Sequence, residues 1–451
     1  MKKLMLICAP VTSRSGYGDH ARDLVTSLFH HDKYDINILD VPWGSCPRNA
    51  LKPENEMDKR ILDSILEKPE LSRKPDIYID IRIPNEFQTY GEFNIGITAG
   101  IETTVVSQAW LEGCNKMDLI IVPSEHSKEG FVNTIFDKVN NLPDGKQQKV
   151  GELKLEKPIE VLFEGADENI FKPIDDASLD LVDDIDEKDV FLFTGQWANG
   201  GYGEDRKDIS RLIKVFYESF ANKKEKPALL LKANGASFSI LDREECLTKI
   251  NNVKSKFPSD WDLPNVYLLH GDLSKEQLNK LYNHPKVKAM ASITHGEGFG
   301  RPLLEATMVG LPVIASGWSG QLDFLDKEKS MLIGGKLDKV PNSVLWKDII
   351  VEGSEWFYAD ENQLYKAFNH VYNNYDEVKS KSLKLMKENR KKFTLSNMTN
   401  LFDNIMKKIH LPATPEQVNL TLPKLKKVKT EKESPKIKLP KLKKMTDGVG
   451  V

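Results

Sequence analysis

Residues 289–316, AMASITHGEGFGRPLLEATMVGLPVIAS, hold the densest group of residues suited to ligand chemistry, and they read as strand, glycine turn, helix and strand. His295 opens the turn. Gly296, Gly298 and Gly300 let the backbone bend sharply and approach a ligand without side chains in the way. Pro302 suits the first helical position, where its missing N–H costs nothing. The free N–H groups around Phe299, Gly300 and Arg301 would then face the crevice beyond the strand ends, where an anion is favoured. Glu297 in the loop and Glu305 one helical turn past Pro302 reach that same crevice. Carboxylates repel a phosphate but accept hydrogen bonds from hydroxyls, so the pattern fits a polyol at each end and a phosphate held by backbone amides between them. The plain alternative is a glycine-rich helix start with two solvated acids, and the coincidence of three glycines, a proline and two glutamates argues against it.

A second anion site is expected in residues 193–216, FTGQWANGGYGEDRKDISRLIKVF. A strand ends there, a glycine-rich loop follows, and Arg206 and Lys207 precede an amphipathic helix. Cations at this place would offset charge growing on a departing diphosphate. Unaided, an Arg-Lys pair at a helix start also reads as a solvated cap. A third glycine turn, Ser15-Gly16-Tyr17-Gly18, opens the helix after the first strand. Gly16, Gly18 and Ala21, with Asp40 ending the next strand, satisfy the dinucleotide fingerprint and would make an NAD-dependent oxidoreductase. That match is weak, because Pro10 to Ser15 separate strand and glycines where the fingerprint needs a tight turn, and it leaves Glu297 and Glu305 unexplained.

Short apolar runs alternating with helix-period segments must position these turns, and that alternation marks an α/β protein with parallel sheets. Strands are expected at 4–9, 34–39, 77–81, 93–97, 119–122 and 159–162 in a first lobe, and at 190–194, 228–232, 266–269, 289–294 and 313–315 in a second. Ala21, Leu24, Val25, Leu28 and Phe29 form one apolar stripe on the first helix, and Ile209, Leu212, Ile213, Phe216 and Phe220 form another on a helix at 208–220. The spacing gives a first lobe over 1–175, an acidic linker at 176–189, a second lobe over 190–390, a final helix at 391–410 and a tail at 411–451. Within 422–444 the hexapeptide LPKLKK occurs twice, and ten Lys against Glu431 and Glu433 give a local charge of +8, so the tail is expected to be disordered.

The length of 451 residues calls for two domains. A net charge of -3 with 40% hydrophobic residues describes a globular chain and names no partner. Cys8, Cys46, Cys114 and Cys246 are scattered, which disfavours a zinc knuckle or disulfide framework and points to a reducing, cytoplasmic setting. Lys2-Lys3 before an apolar run imitates a secretory signal, but the run is short and interrupted by Pro10, so a buried strand fits better.

Glu297, seven intervening residues and Glu305, within HGEGFGRPLLEA, resemble the signature of the retaining GT-B glycosyltransferases of family GT4. The resemblance extends through Gly310 to Ser316, through Val122-Pro123-Ser124-Glu125 with Phe131, and through Phe163-Glu164-Gly165-Ala166-Asp167 with Phe171-Lys172-Pro173. It implies two Rossmann-like lobes facing a cleft and transfer of a sugar from a nucleoside diphosphate sugar, with retention of configuration. It also implies that Glu297 contacts the donor sugar, Glu305 the ribose and Lys207 the phosphates, that Gly16 and Gly18 approach the phosphates, and that the last helix crosses back onto the first lobe. The family's arginine after the loop glycine is Gln196 here, so Arg206 is expected to supply that charge; otherwise the chain is a catalytically weak sugar-nucleotide-binding protein.

Acceptor groups are expected from the first lobe, with Glu102, Trp110 and His126 as candidates, although a lone Glu before Thr also reads as a cap and Trp110 as core. No metal or cofactor is expected. Asp184-Ile185-Asp186 imitates a metal-binding pair but lies in the linker. The basic tail suits an acidic partner such as nucleic acid or an anionic membrane, which makes modified DNA an acceptor worth testing.

Overall fold

The computed structural model describes residues 2–141, 146–175, 177–198, 200–235 and 237–409. The expected disordered tail at 411–451 lies outside the described residues. The first lobe runs β1 (Lys3–Ala9), α1 (Gly16–His31), β2 (Tyr34–Asp40), α2 (Glu56–Asp63), β3 (Ile77–Ile81), β4 (Phe93–Ile97), α3 (Gln108–Cys114), β5 (Leu119–Val122), α4 (Glu125–Asn133), an antiparallel hairpin of β6 (Phe136–Asn141) and β7 (Gln147–Leu153), and β8 (Ile159–Val161). Its six-stranded sheet has the order β2-β1-β3-β4-β5-β8, all parallel. β1 is paired on both sides and buried apart from Lys3, which is the environment a short run such as LMLICA needs.

Residues 177–189 carry the one-turn helix α5 (Asp180–Asp183), and Val182 and Ile185 are buried in a core of the second lobe. That lobe continues with β9 (Val190–Gln196), α6 (Ile209–Phe220), β10 (Ala228–Asn234), α7 (Ile240–Lys254), β11 (Val266–Leu269), α8 (Lys275–Asn283), β12 (Val287–Ser292), α9 (Arg301–Met308), β13 (Val313–Ser316), β14 (Met331–Ile333), the hairpin β15 (Gly335–Lys339) and β16 (Glu355–Ala359), α10 (Glu361–Asn373) and α11 (Tyr375–Lys392). Its sheet order is β11-β10-β9-β12-β13-β14, again all parallel. The order reverses at β9 and β12, and the crevice outside their carboxyl ends is where open α/β sheets bind ligands. Phe191, Phe193, Leu229 and Leu231 pack under α6 and α10, while Leu192, Leu230 and Met290 pack under α8 and α9, so each face of the sheet has its own core.

The last helix, α12 (Leu395–Lys407), leaves the second lobe. Its Met398, Phe402, Ile405 and Met406 are buried with Leu24, Leu28 and Phe29 of α1. Phe393 O accepts from Ala166 N at 3.0 Å and Leu395 N donates to Ala166 O at 2.8 Å, which pins the crossing point. Each buried apolar side chain of this kind contributes roughly 1.5–3 kcal/mol by removal from water, so α12 ties the lobes together. Among the described residues no helix is long and apolar enough to cross a membrane.

Candidate functional site

The turn after β12 is held in three ways. Gly300, at φ +98, caps α9, a conformation that costs a glycine little and other residues more. Gly298 O accepts hydrogen bonds from Ser124 Oγ at 2.6 Å and Ser127 Oγ at 3.4 Å, both from the first lobe. Ser319 sits at φ +76, a region other residues avoid, and its Oγ accepts from Glu297 N at 3.0 Å while donating to Gln321 Oε1 at 2.9 Å. The N–H groups of Phe299 and Gly300 donate to nothing among the described residues. There is no room for side chains at the turn's inner glycines: a Cβ on Gly296 would lie 2.0 Å from Glu102 O, and one on Gly298 1.9 Å from Ala99 O. The two lobes therefore meet directly over the turn.

Glu297 is buried between two cations. Its Oε1 pairs with Lys207 Nζ and its Oε2 lies 3.3 Å from Arg206 Nη1, which also donates to Gly296 O at 3.1 Å. Burial pushes its pKa up, but Lys207 and Arg206 outweigh that and hold it below the ordinary carboxylate value. Burial draws Lys207 below the ordinary lysine value, with Glu297 opposing. Glu102 of the first lobe reaches Arg206 at 3.5 Å. Behind this trio Asp208 is buried at φ +51, and burial pushes its carboxyl up to about 8.

Glu305 lies on the other side of the helix tip. It is buried, 3.4 Å from Arg301 Nε, and accepts from Tyr282 Oη at 3.5 Å. Burial pushes its carboxyl up to about 7 against the pull of Arg301. Arg301 also pairs with Asp23 of α1, so one guanidinium joins the lobes. Glu164, at the end of the first lobe, is likewise buried and pushed by burial up to about 7.

Glu297, Lys207, Arg206, Arg301, Glu305 and Glu102 thus converge on the α9 tip. Gly296, Gly298, Phe299 and Gly300 form the turn itself. His295 is fully buried and stacked on Trp356 at 4.3 Å; its Nδ1 lies 2.7 Å from Phe357 O and its Nε2 3.1 Å from Gly203 O. Burial holds its pKa down to about 4, and its two carbonyl contacts brace β16 against the turn rather than facing the cleft. Gln196 is exposed and donates to Gly235 O at 3.0 Å, away from Glu297. Trp110 is buried in the first-lobe core against Phe131, not in the cleft, because its helix packs inward. His126 meets Trp318 of the second lobe edge-on at 4.6 Å, and burial holds it down to about 4. Gly16 opens α1 in open space, whereas a Cβ on Gly18 would strike Ser13 O at 2.2 Å. Asp40, the acid of the dinucleotide fingerprint, accepts from Thr12 Oγ1 at 2.7 Å and Arg48 Nη2 at 2.6 Å, so its carboxylate is already engaged.

Asp23, Ser319, Tyr282 and Ser127 were not singled out by the sequence. Ser127 stands three residues after Ser124, beside the Val122–Glu125 segment that carried part of the resemblance; the other three carry no local pattern that separates them from solvated residues.

Residues 201–336, which span the turn, Lys207 and both glutamates, match the family model of glycosyl transferases group 1. No curated protein matches the sequence. Sucrose-phosphate synthase from Thermosynechococcus elongatus superposes with a TM-score of 0.61 at 13% identity over 90% of this chain and 98% of its own. The Anabaena HepE protein in complex with UDP-glucose gives 0.60 at 13% over 90% and 100%. A glycosyltransferase from Rickettsia africae gives 0.57 at 13% over 90% and 98%. At such identity these likenesses show the fold, and they cover both lobes. The chain has the two-lobed GT-B fold, and residues 201–336 of its second lobe match the group 1 glycosyl transferases.

Proposed function

We propose that the enzyme moves a sugar from a nucleoside diphosphate sugar, with retention of configuration, to an acceptor held by the first lobe. The observation that carries this reading is the placing of two buried carboxylates, Glu297 and Glu305, on either side of an amide-bearing helix tip with Lys207 and Arg206 beside one of them. Glu297 accepts hydrogen bonds from the sugar hydroxyls and Glu305 from the ribose. The diphosphate lies between them on the N–H groups of Phe299 and Gly300 and on Lys207 and Arg206. Arg206, 3.3 Å from Glu297, stands in for the cation that Gln196 does not provide. As the glycosidic bond breaks, charge develops on the diphosphate, and these two cations stabilise it in a site shielded from water. Because cationic side chains supply this charge, chelation leaves turnover unchanged.

The lobes touch over the turn, so a donor enters only after they part and is enclosed when they meet again. Glu102, linked to Arg206, and His126, set against Trp318 of the second lobe, are the first-lobe candidates for holding the acceptor. The UDP-glucose in the HepE complex makes UDP-sugars the first donors to try. Thermal melting against UDP, GDP, ADP and dTDP sugars tests the reading, since the cognate donor raises the melting temperature by mass action. NMR of the anomeric proton in the transferred or hydrolysed sugar reports the configuration. A panel in which no donor shifts the melt contradicts the proposal, and an inverted product contradicts retention.

A further inference from the structure

The donor site as proposed leaves one buried cation without a task. Lys232 stands near the carboxyl end of β10, in register with Thr194 of β9 and Leu269 of β11. Alternation along β10 sends Leu229, Leu231 and Ala233 into the core under α6 and α7, and places Leu230 and Lys232 on the opposite face. Lys232 is only 9% exposed, and burial draws its ammonium down to about 8. Among the described residues no carboxylate pairs with it and no oxygen accepts a hydrogen bond from it. A desolvated cation with no partner costs stability that an apolar side chain of the same length does not.

The surroundings show what kind of partner is missing. The Phe238 ring lies 6.0 Å from Nζ, and His270 meets Phe238 edge-on at 6.3 Å. The nearby Asp242 carboxylate is taken up by His270 Nε2 and Gly235 N, each at 2.8 Å. β10 lies on the far side of β9 from β12, so Lys232 is separated by a strand from the turn that carries Glu297. It shares its face of the sheet with Thr194, which neighbours Tyr282, the tyrosine that donates to Glu305. Lys232 therefore stands at the Glu305 end of the site, the end given to the nucleoside.

We propose that Lys232 reads the donor's base: its ammonium donates to an exocyclic carbonyl oxygen of a base lying beside Phe238 and His270. Aromatic rings accept any base by stacking, so they confer little choice. An ammonium has three donors and no acceptor, so beside a base's exocyclic group it needs an oxygen, and adenine's only exocyclic group is an amine. Uracil, thymine, guanine and cytosine offer a carbonyl oxygen, whereas adenine does not. A site that leaves a buried donor unpaired discriminates strongly against the wrong ligand. This inference rests on the donor reading above.

Lys232→Met keeps the length and the apolar stem and removes the charge. UDP, UMP and ADP are titrated calorimetrically into the full-length wild type and the variant, and both apo proteins are melted. The expected result is that UDP and UMP lose affinity by the same factor, on the order of tenfold to a hundredfold. ADP binds the wild type more weakly than UDP and is unaffected by the substitution. The apo variant melts no lower than the wild type, which separates lost recognition from lost folding. Equal losses for UDP and ADP, or a loss confined to the diphosphate, assign Lys232 to the phosphates and overturn the inference. Unchanged UDP affinity overturns it too. Failure of the wild type to bind any of the three, and GDP and dTDP as well, overturns the donor reading itself.

Discussion

Replacing Glu297 by Gln removes the carboxylate that links the buried Lys207 to the half-buried Arg206 while keeping the side chain's shape. In the wild type Glu297 and Lys207 side chains are each 10% exposed, so solvent screens the pair little. Breaking a buried pair from one side costs about 3–5 kcal/mol, because the remaining charge is left desolvated. Glu102 at 3.5 Å from Arg206 compensates part of that, and about 3 kcal/mol is the expected loss. If the second lobe melts as a unit, this is a fall of roughly 6–12 °C. The loss is pH-dependent with a definite sign. Without Glu297 the folded-state pKa of Lys207, already below its ordinary value, falls further. The unfolded chain then binds that proton more tightly, so the variant gains stability as pH rises and its deficit narrows. Uncovered cations also attract phosphate, so the variant binds bare UDP more tightly than the wild type does, while turnover of a UDP-sugar collapses. Differential scanning calorimetry from pH 6 to 9 with and without UDP reads the lost stability, its pH dependence and the gain in UDP affinity, and a sugar-release assay reads the turnover. A variant that melts with the wild type at every pH and gains no UDP affinity refutes the ion-cluster account.

Three further predictions follow from the geometry. Gly298→Ala places a Cβ against Ala99 O, which the lobes relieve only by parting, so turnover falls by about 10²-fold while UDP affinity stays within a few-fold; unchanged turnover means that the contact is irrelevant to catalysis. Glu305 and Glu164 each keep a proton up to about pH 7 when folded but release it well below that when unfolded, so stability declines as pH rises from about 4.5 to 7. Glu305→Gln flattens that decline in denaturant titrations, and an unaltered profile rules the group out. Phe402→Ala empties the α12 contact on α1 and costs about 3–5 kcal/mol in urea unfolding; a cost below about 1 kcal/mol means that α12 does not hold the lobes.

The sheets were legible because parallel strands are buried on both faces and so read as near-continuous apolar runs: 4–9, 77–81 apart from Asp80, and 228–232 apart from Lys232 need no tertiary context to be recognised. The hairpin β6–β7 was not legible, since FDKVNN and QQKVGEL are mostly polar, pair with each other, and send only Phe136 and Leu153 to the first-lobe core. The glycines and acids around α9 stood out because they cluster in one turn, where a Cβ on Gly296 or Gly298 would strike Glu102 O or Ala99 O. His295 misled for the opposite reason: a histidine in a ligand loop looks the same in sequence whether it faces the cleft or, as here, braces Phe357 O and Trp356. Asp23 and Tyr282 acquire their meaning only when a helix from a distant segment is packed against them. Lys232 is a polar residue in an apolar strand, a local conflict of the kind that marks function.

The most direct test is a crystal structure of the protein with an intact UDP-sugar. The account predicts sugar hydroxyls on Glu297, ribose hydroxyls on Glu305, and the diphosphate between them on Lys207, Arg206 and the amides of Phe299 and Gly300. Donor density seated on the Ser15–Gly18 turn and Asp40 of the first lobe, with Glu297 and Glu305 untouched, contradicts it.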